Sequence, residues 1–272
     1  MHFTVNCNND IGPFTHFWRS TGFSPASLLL NADMQQQLTY AASTGGIDYV
    51  RVHYLLDLVR GKDLLGENPV YDWSVLDIAL DVLVENNLRP FFELMGNPGG
   101  VFTDFTDMAQ IYAWCHLVGE LAAHCINRYG AYAVRSWYFE TWNEPDAWWP
   151  YGEQGLLNYY DACSEGLRAV DPALRFGGPG TSETLSPYFK AVLAHCDNGT
   201  NVLTDEIGVR LDFISVHEKG APPSREDITP DTAGIYEREI QAVRYIREHH
   251  PRFADLPFMN NECDPQVGWR HL

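Results

Sequence analysis

Two short stretches of the chain place a carboxylate where an apolar run stops. In Phe139-Glu140-Thr141-Trp142-Asn143-Glu144-Pro145-Asp146 an apolar segment runs into Asn-Glu-Pro, and the proline ends ladder pairing just after Glu144. In Phe258-Met259-Asn260-Asn261-Glu262 a second apolar segment ends on Glu262. Cleavage of a glycosidic bond with retention needs two carboxyl groups about 5–5.5 Å apart, flanking the anomeric carbon. One must start protonated, and a negative neighbour favours this by raising its pKa. When the nucleophile becomes an ester that charge is lost, the pKa of the first group falls, and the same group can act as base. Taken singly, either glutamate is equally well explained as an exposed loop carboxylate or a helix cap. The Trp-Asn-Glu-Pro context, and the second Glu three strands later, favour the pair.

Groups so far apart in the chain meet only if the fold gathers the ends of their elements. The sequence repeats a short apolar strand, a loop and an amphipathic helix. Strands are expected at 3–7, 47–53, 89–95, 135–142, 174–178, 212–217 and 257–262. Between them, Ser74-Val75-Leu76-Asp77 reads as a capping box opening a helix that carries Ile78, Val82 and Leu83. From Asp107, apolar residues at Ile111, Cys115, Val118, Ala122, Cys125 and Tyr129 advance by three and four until Gly130 stops the helix. A further helix is expected over 155–170, ending before Asp171-Pro172. Ser186-Pro187 opens another, and a last one is expected over 232–249, closed by Pro251.

Alternating strands and helices imply a parallel sheet. No G-x-G-x-x-G follows the first strand, which counts against an open dinucleotide-binding sheet. The polar residues His53, Glu93, Asn143, Glu144, His217 and Glu262 fall at the C-terminal ends of strands, and a closed barrel collects such ends on one face. The expected fold is therefore α/β, a (β/α)₈ TIM barrel forming one catalytic domain over residues 1–272. Only seven strands are legible, and Leu272 lies ten residues beyond Glu262, so the barrel is expected to be truncated after the seventh strand.

The formal charge of −18 excludes a nucleic-acid binder, which needs clustered Lys and Arg, and disfavours adsorption to an anionic membrane. It also demands local positive charge in the pocket if the substrate is anionic. Eight Trp suit a sugar cleft, although core packing explains them as well. The six cysteines show no C-x-x-C pair and no zinc spacing, so neither a disulfide framework, a metal site nor a cofactor is expected. No run approaches the ~20 apolar residues of a membrane span, and the start of the chain lacks a signal-peptide pattern.

These features resemble the retaining (β/α)₈ glycosidases, and in particular the glycosaminoglycan-degrading members of glycoside hydrolase family 39. The resemblance covers almost the whole chain. It runs through Phe17-Trp18-Arg19-Ser20-Thr21-Gly22-Phe23, Phe92-Glu93-Leu94-Met95-Gly96, Phe102-Thr103-Asp104-Phe105 and the segment from Phe139 to Asp146. It continues through Leu157-Asn158-Tyr159-Tyr160-Asp161-Ala162-Cys163-Ser164-Glu165-Gly166-Leu167-Arg168, Gly208-Val209-Arg210-Leu211-Asp212 and Asp264-Pro265-Gln266-Val267-Gly268-Trp269.

The resemblance implies a lysosomal hydrolase that removes terminal α-L-iduronic acid from dermatan or heparan chains by double displacement. It assigns Glu144 as acid/base and Glu262 as nucleophile. Asn143 would bond the sugar 2-hydroxyl, His53 a ring hydroxyl, and Arg51 would hold Glu262 ionised. Lys219 would pair with the substrate carboxylate, which Gly268 and Trp269 would approach through backbone groups. His217 serves either as a ligand or as an orienter. A β-D-xyloside matches an α-L-iduronide except at the fifth carbon, where the iduronide adds a carboxylate, so a lysine aimed there favours the acid sugar.

Set against the family, the eighth strand and helix, the β-sandwich and the fibronectin-like part are expected to be missing, leaving an unpaired sheet edge. Two other readings stay open: a β-xylosidase or other retaining exo-glycosidase on the same scaffold, and a non-catalytic glycan-binding relative.

Overall fold

In the computed structural model, which describes residues 2, 4–10, 12–13, 19–23, 25–220 and 231–265, seven strands pair in chain order. They are β1 (Ser20–Phe23), β2 (Tyr49–Val52), β3 (Arg89–Glu93), β4 (Tyr138–Glu140), β5 (Arg175–Thr181), β6 (Ile214–Val216) and β7 (Phe258–Asn260). Every neighbouring pair is parallel. Parallel neighbours need a crossover, and α1 (Ala32–Ser43), α2 (Ser74–Glu85), α3 (Met108–Tyr129), α4 (Gly152–Val170), α5 (Pro187–Asn198) and α6 (Thr232–His249) supply them. An antiparallel hairpin, Arg60–Lys62 with Val70–Asp72, is inserted before α2.

The sheet is curled. In a flat sheet, β2 and β7 would stand five strand spacings apart, about 24 Å. Instead Arg51 on β2 reaches Glu262, two residues beyond β7, at 2.8 Å. Alternation along the strands then sorts side chains between the interior and the helices. Phe91 on β3 lies against Tyr138 on β4, with centroids 5.0 Å apart, and both meet Phe213 edge-on, which fills the interior below the rim. Phe92 and Phe139 point the other way, 5.8 Å apart, into the buried apolar layer under the helices. Two residues beyond Phe91 and Tyr138, Glu93 pairs with Glu140, and both are fully buried.

Helix ends follow the local chemistry. Asp107 caps α3 by accepting from the Ala109 N–H, and Ser186 caps α5 by accepting from Phe189. Gly130, at φ 85°, ends α3. The helices α3 and α4 cross where Gly166 meets the Cys115 carbonyl; a Cβ there would stand 2.5 Å from that oxygen, so only glycine permits the approach.

Two expectations need correction. Residues 4–10 form no strand: the Asn9 N–H donates to the Asn6 carbonyl and the Asn8 N–H to the Asn6 side chain, an exposed asparagine-rich turn that consumes the groups a ladder would need. The first strand is β1, whose Ser and Gly give it little strand propensity. The capping box at Ser74 does not form either. Trp73 occupies the cap position without a side-chain bond, Ser74 is already helical, and its N–H is taken by Asp72 at 3.0 Å. Consistently, Leu76, Ala79, Leu80 and Leu83 form the buried face of α2, while Ile78 is half exposed. No helix of the described residues is long and apolar enough to cross a membrane.

Candidate active site

At the centre of the strand ends lies a buried cation. Arg51, 1% exposed, donates Nε to Glu140 at 2.6 Å, Nη2 to Glu93 at 2.7 Å and Nη1 to Glu262 at 2.8 Å. A fourth bond, Nη2 to the Asn143 Oδ1 at 3.1 Å, fixes the amide orientation of Asn143 and leaves its Nδ2 hydrogens for a ligand. The surrounding carboxylates stabilise the guanidinium cation despite its burial, so its pKa moves further up. Glu140 also accepts from Asn261 at 2.8 Å, which ties the chain just before Glu262 to β4.

His53, just past β2, lies between two carboxylates: Nδ1 is 2.7 Å from Glu93 and Nε2 is 3.3 Å from Glu262. Both partners are acceptors, so both ring nitrogens carry protons. Burial opposes that charge, but the hydrogen bonds to Glu262 and Glu93 outweigh it and raise the pKa to about 9.

Glu144 leaves β4 in the left-handed region, φ 45°, an unfavourable conformation for a residue with a Cβ. Its N–H donates to the Gly180 carbonyl at 2.9 Å, and Gly180 itself has φ +59°, so a glycine on β5 shapes the bend that aims Glu144. Three donors meet its carboxylate: His217 Nδ1 at 3.0 Å and Lys219 Nζ at 3.1 Å on Oε1, and Trp148 Nε1 at 3.0 Å on Oε2. Burial alone would raise its pKa; the His217 hydrogen bond and charge, the Lys219 charge and Trp148 bring it down to about 2. Glu262 is likewise held well below the carboxylate range, where burial is overcome by His53, the charges of His217 and Arg51, and Lys219.

Lys219 therefore bridges the two glutamates, with Nζ 3.1 Å from Glu144 and 2.8 Å from Glu262. Oxygens of the two carboxylates and a nitrogen of His217 come within 4.8 Å of one another. Such a trio has the donor types of a cation site, but the ammonium of Lys219 and the guanidinium of Arg51 already meet the charge. Oxygens that approach within 4.8 Å suit the close pair of retaining catalysis, about 5–5.5 Å, better than the ~6.5–9.5 Å of inverting sites.

The structure thus brings together seven of the nine residues singled out in the sequence: Arg51, His53, Asn143, Glu144, His217, Lys219 and Glu262. Gly268 and Trp269 lie outside the described residues. Not foreseen as parts of the site were Glu140, Asn261, the arginine-holding role of Glu93, and Trp148. Two in-register strand glutamates without an exposed face, Glu93 and Glu140, are the signal that could have exposed the buried cluster.

Two consequences follow for stability. Arg51→Ala would leave three carboxylates converging without their cation, which costs on the order of 3–5 kcal/mol; thermal unfolding should shift down accordingly, and an unchanged melting temperature would contradict the cluster as described. For pH, the signs differ between groups. His53 has a raised pKa, so its stabilising charge is fully present below about 6.5 and lost as pH rises through about 9. Glu144 has a lowered one, so its contribution is present above about 4.5 and lost as pH falls through about 2. The melting temperature should fall between pH 6.5 and 9, and His53→Gln should flatten that slope.

A parallel curled sheet carries two neighbouring carboxylates just beyond the ends of β4 and β7, the arrangement that retaining glycosidases use. The model of the glycosyl hydrolases family 39 matches residues 1–271, and the chain belongs to that family. It is 46% identical to human (Homo sapiens) α-L-iduronidase over 281 residues, covering 97% of this chain and 42% of that protein. The crystal structure of a bacterial orthologue of human α-L-iduronidase superposes with a TM-score of 0.89 at 54% identity, over 95% of this chain and 42% of that one. A monomeric β-xylosidase from Caulobacter crescentus CB15 superposes with a TM-score of 0.73 at 25% identity, over 93% of this chain and 53% of that one. The chain spans less than half the length of the curated relatives it matches.

Proposed function

We propose that this chain carries the catalytic centre of a retaining exo-glycosidase that removes terminal α-L-iduronic acid from glycosaminoglycans of the dermatan or heparan type. The observation that carries the substrate class is Lys219, an ammonium between Glu144 and Glu262 whose side chain is 21% exposed. A sugar carboxylate entering the pocket finds there a partly exposed positive partner in an otherwise strongly acidic chain. The similarity to α-L-iduronidases supports the same reading.

Catalysis runs in two displacements. Glu262, kept ionised by Arg51 and His53, attacks the anomeric carbon while Glu144 protonates the departing glycosidic oxygen. The ester at Glu262 removes one negative charge beside Glu144, which lowers the pKa of Glu144 and lets it take a proton from the water that releases the sugar. Asn143, oriented by Arg51, donates to the 2-hydroxyl, and His217 orients Glu144. Gly268 and Trp269 belong to this proposal as backbone contacts to the sugar carboxylate. The substrate is the partner this reading requires; a nucleic acid or membrane is not. The acidic lysosomal compartment goes with it, since His53 keeps its proton throughout the acid range.

The second reading, a β-xylosidase, draws on the similarity to the C. crescentus enzyme. Comparative hydrolysis of phenyl α-L-iduronide and phenyl β-D-xyloside separates the two: the proposal expects the iduronide to be preferred by about 100-fold in kcat/KM, the worth of a charge-assisted contact. Equal or inverted preference would refute it.

A further inference from the structure

Lys219 is shared by the two carboxylates, but they do not depend on it equally. Without it, Glu262 keeps Arg51 at 2.8 Å and the protonated His53 at 3.3 Å. Among the described residues, Glu144 keeps only His217 and Trp148. The lysine can move: its backbone is pinned by the Arg238 Nη2 bond to its carbonyl at 2.7 Å and by Asn260 bonded to Glu218 on both sides, while its side chain is partly exposed. The charge count adds a second constraint. Apart from His217, the cations Arg51, His53 and Lys219 face the four carboxylates of Glu93, Glu140, Glu144 and Glu262. A fifth carboxylate, brought in by a uronate, enters a pocket with no spare cation among these groups. Protonating one of the five returns these groups to the net charge they had before binding, and Glu144 is the one whose partner the newcomer takes.

We propose that Lys219 is a substrate-operated latch: an incoming hexuronate carboxylate draws its ammonium off Glu144, and Glu144 then takes up from solvent the proton it delivers to the leaving group. One proton is gained from bulk water on binding and is transferred to the glycosidic oxygen in the first displacement. No other bond changes in the latch step. A neutral pentoside has no group to draw the lysine away, so discrimination acts on the chemical step as well as on binding. Lys219 is thereby a specificity-determining residue that controls the protonation of its neighbour. The groups facing Glu144 are His217 and Lys219 beyond β6, Trp148 on the turn after it, and Glu262 beyond β7; Arg51 and His53 from β2 act through Glu262.

This inference rests on the iduronidase reading, and two measurements on phenyl α-L-iduronide and phenyl β-D-xyloside test it separately. With the unmodified protein, the basic limb of the kcat–pH profile, which reports the enzyme–substrate complex, should lie at least one pH unit higher for the iduronide than for the xyloside. In Lys219→Met, kcat/KM for the iduronide should fall at least about 100-fold, while that for the xyloside should rise about tenfold, since each unit of pKa restored to Glu144 multiplies its protonated fraction by ten. A lysine that merely binds the sugar acid leaves the limbs coincident and the xyloside rate unchanged, and that result would overturn the latch while the substrate reading stands. Preference for the xyloside in the unmodified protein would overturn both. The pH profiles decide even if the variant fails to fold.

Discussion

Glu262→Gln should lower kcat on α-L-iduronides by on the order of 10⁵-fold, with folding intact. Among the described carboxylates of the site, it alone combines partial exposure with a permanent cation, Arg51, holding it ionised. The amide is nearly isosteric but cannot form the ester, so the two-step path closes and only the slow residual effects of positioning remain. The variant also deprives Arg51 and Lys219 of one anion, yet Arg51 keeps Glu93 and Glu140 and Lys219 keeps Glu144. Stability should therefore change far less than in Arg51→Ala. Steady-state assays beside thermal melts check this; a variant retaining more than about one-hundredth of the activity would remove Glu262 from the nucleophile's role.

Glu144→Gln should split by leaving group. For phenyl glycosides, whose oxygen needs a proton, kcat should fall about 10³-fold, within the usual range for general acid catalysis. For 2,4-dinitrophenyl glycosides the first displacement needs no proton, so the glycosyl-enzyme should form and accumulate. Azide should then release it as a glycosyl azide, because an anionic nucleophile needs no base. Uniform loss across leaving groups, with no azide product, would mean that Glu144 acts only in binding. The geometry argues for the split: His217 and Lys219 take one carboxylate oxygen, and Trp148 alone bonds the other.

Much of this arrangement is visible in the sequence because strands that end on polar residues advertise both the element and its rim. Arg51 with His53, Asn143 with Glu144, and Glu262 all go with short apolar runs: Arg51 lies on β2 and His53 just past it, while the others lie shortly beyond the ends of β4 and β7. The failures have local causes. The strand β1 escapes notice because Ser20, Thr21 and Gly22 carry no apolar pattern, while the alternation around Val5 imitates a strand that the following asparagines turn away. Ser74 matches a capping motif by type, but Asp72 takes its N–H first. The cluster of Arg51 with Glu93 and Glu140 is a property of register: residues distant in sequence meet only because Phe91 pairs with Tyr138 and the sheet curls. The double engagement of Lys219 is equally a matter of three dimensions, since no spacing in the chain marks a lysine as lying between two glutamates.

The central step of the proposed reaction is a covalent iduronosyl intermediate at Glu262. Treating the purified, folded protein with a fluorinated, mechanism-based α-L-iduronosyl reagent and mapping the adduct by peptide mass spectrometry tests it directly. The prediction is one iduronosyl ester per chain, on Glu262, formed with loss of activity. An adduct on another residue, or none on a protein shown to be folded, would contradict both the nucleophile and the sugar.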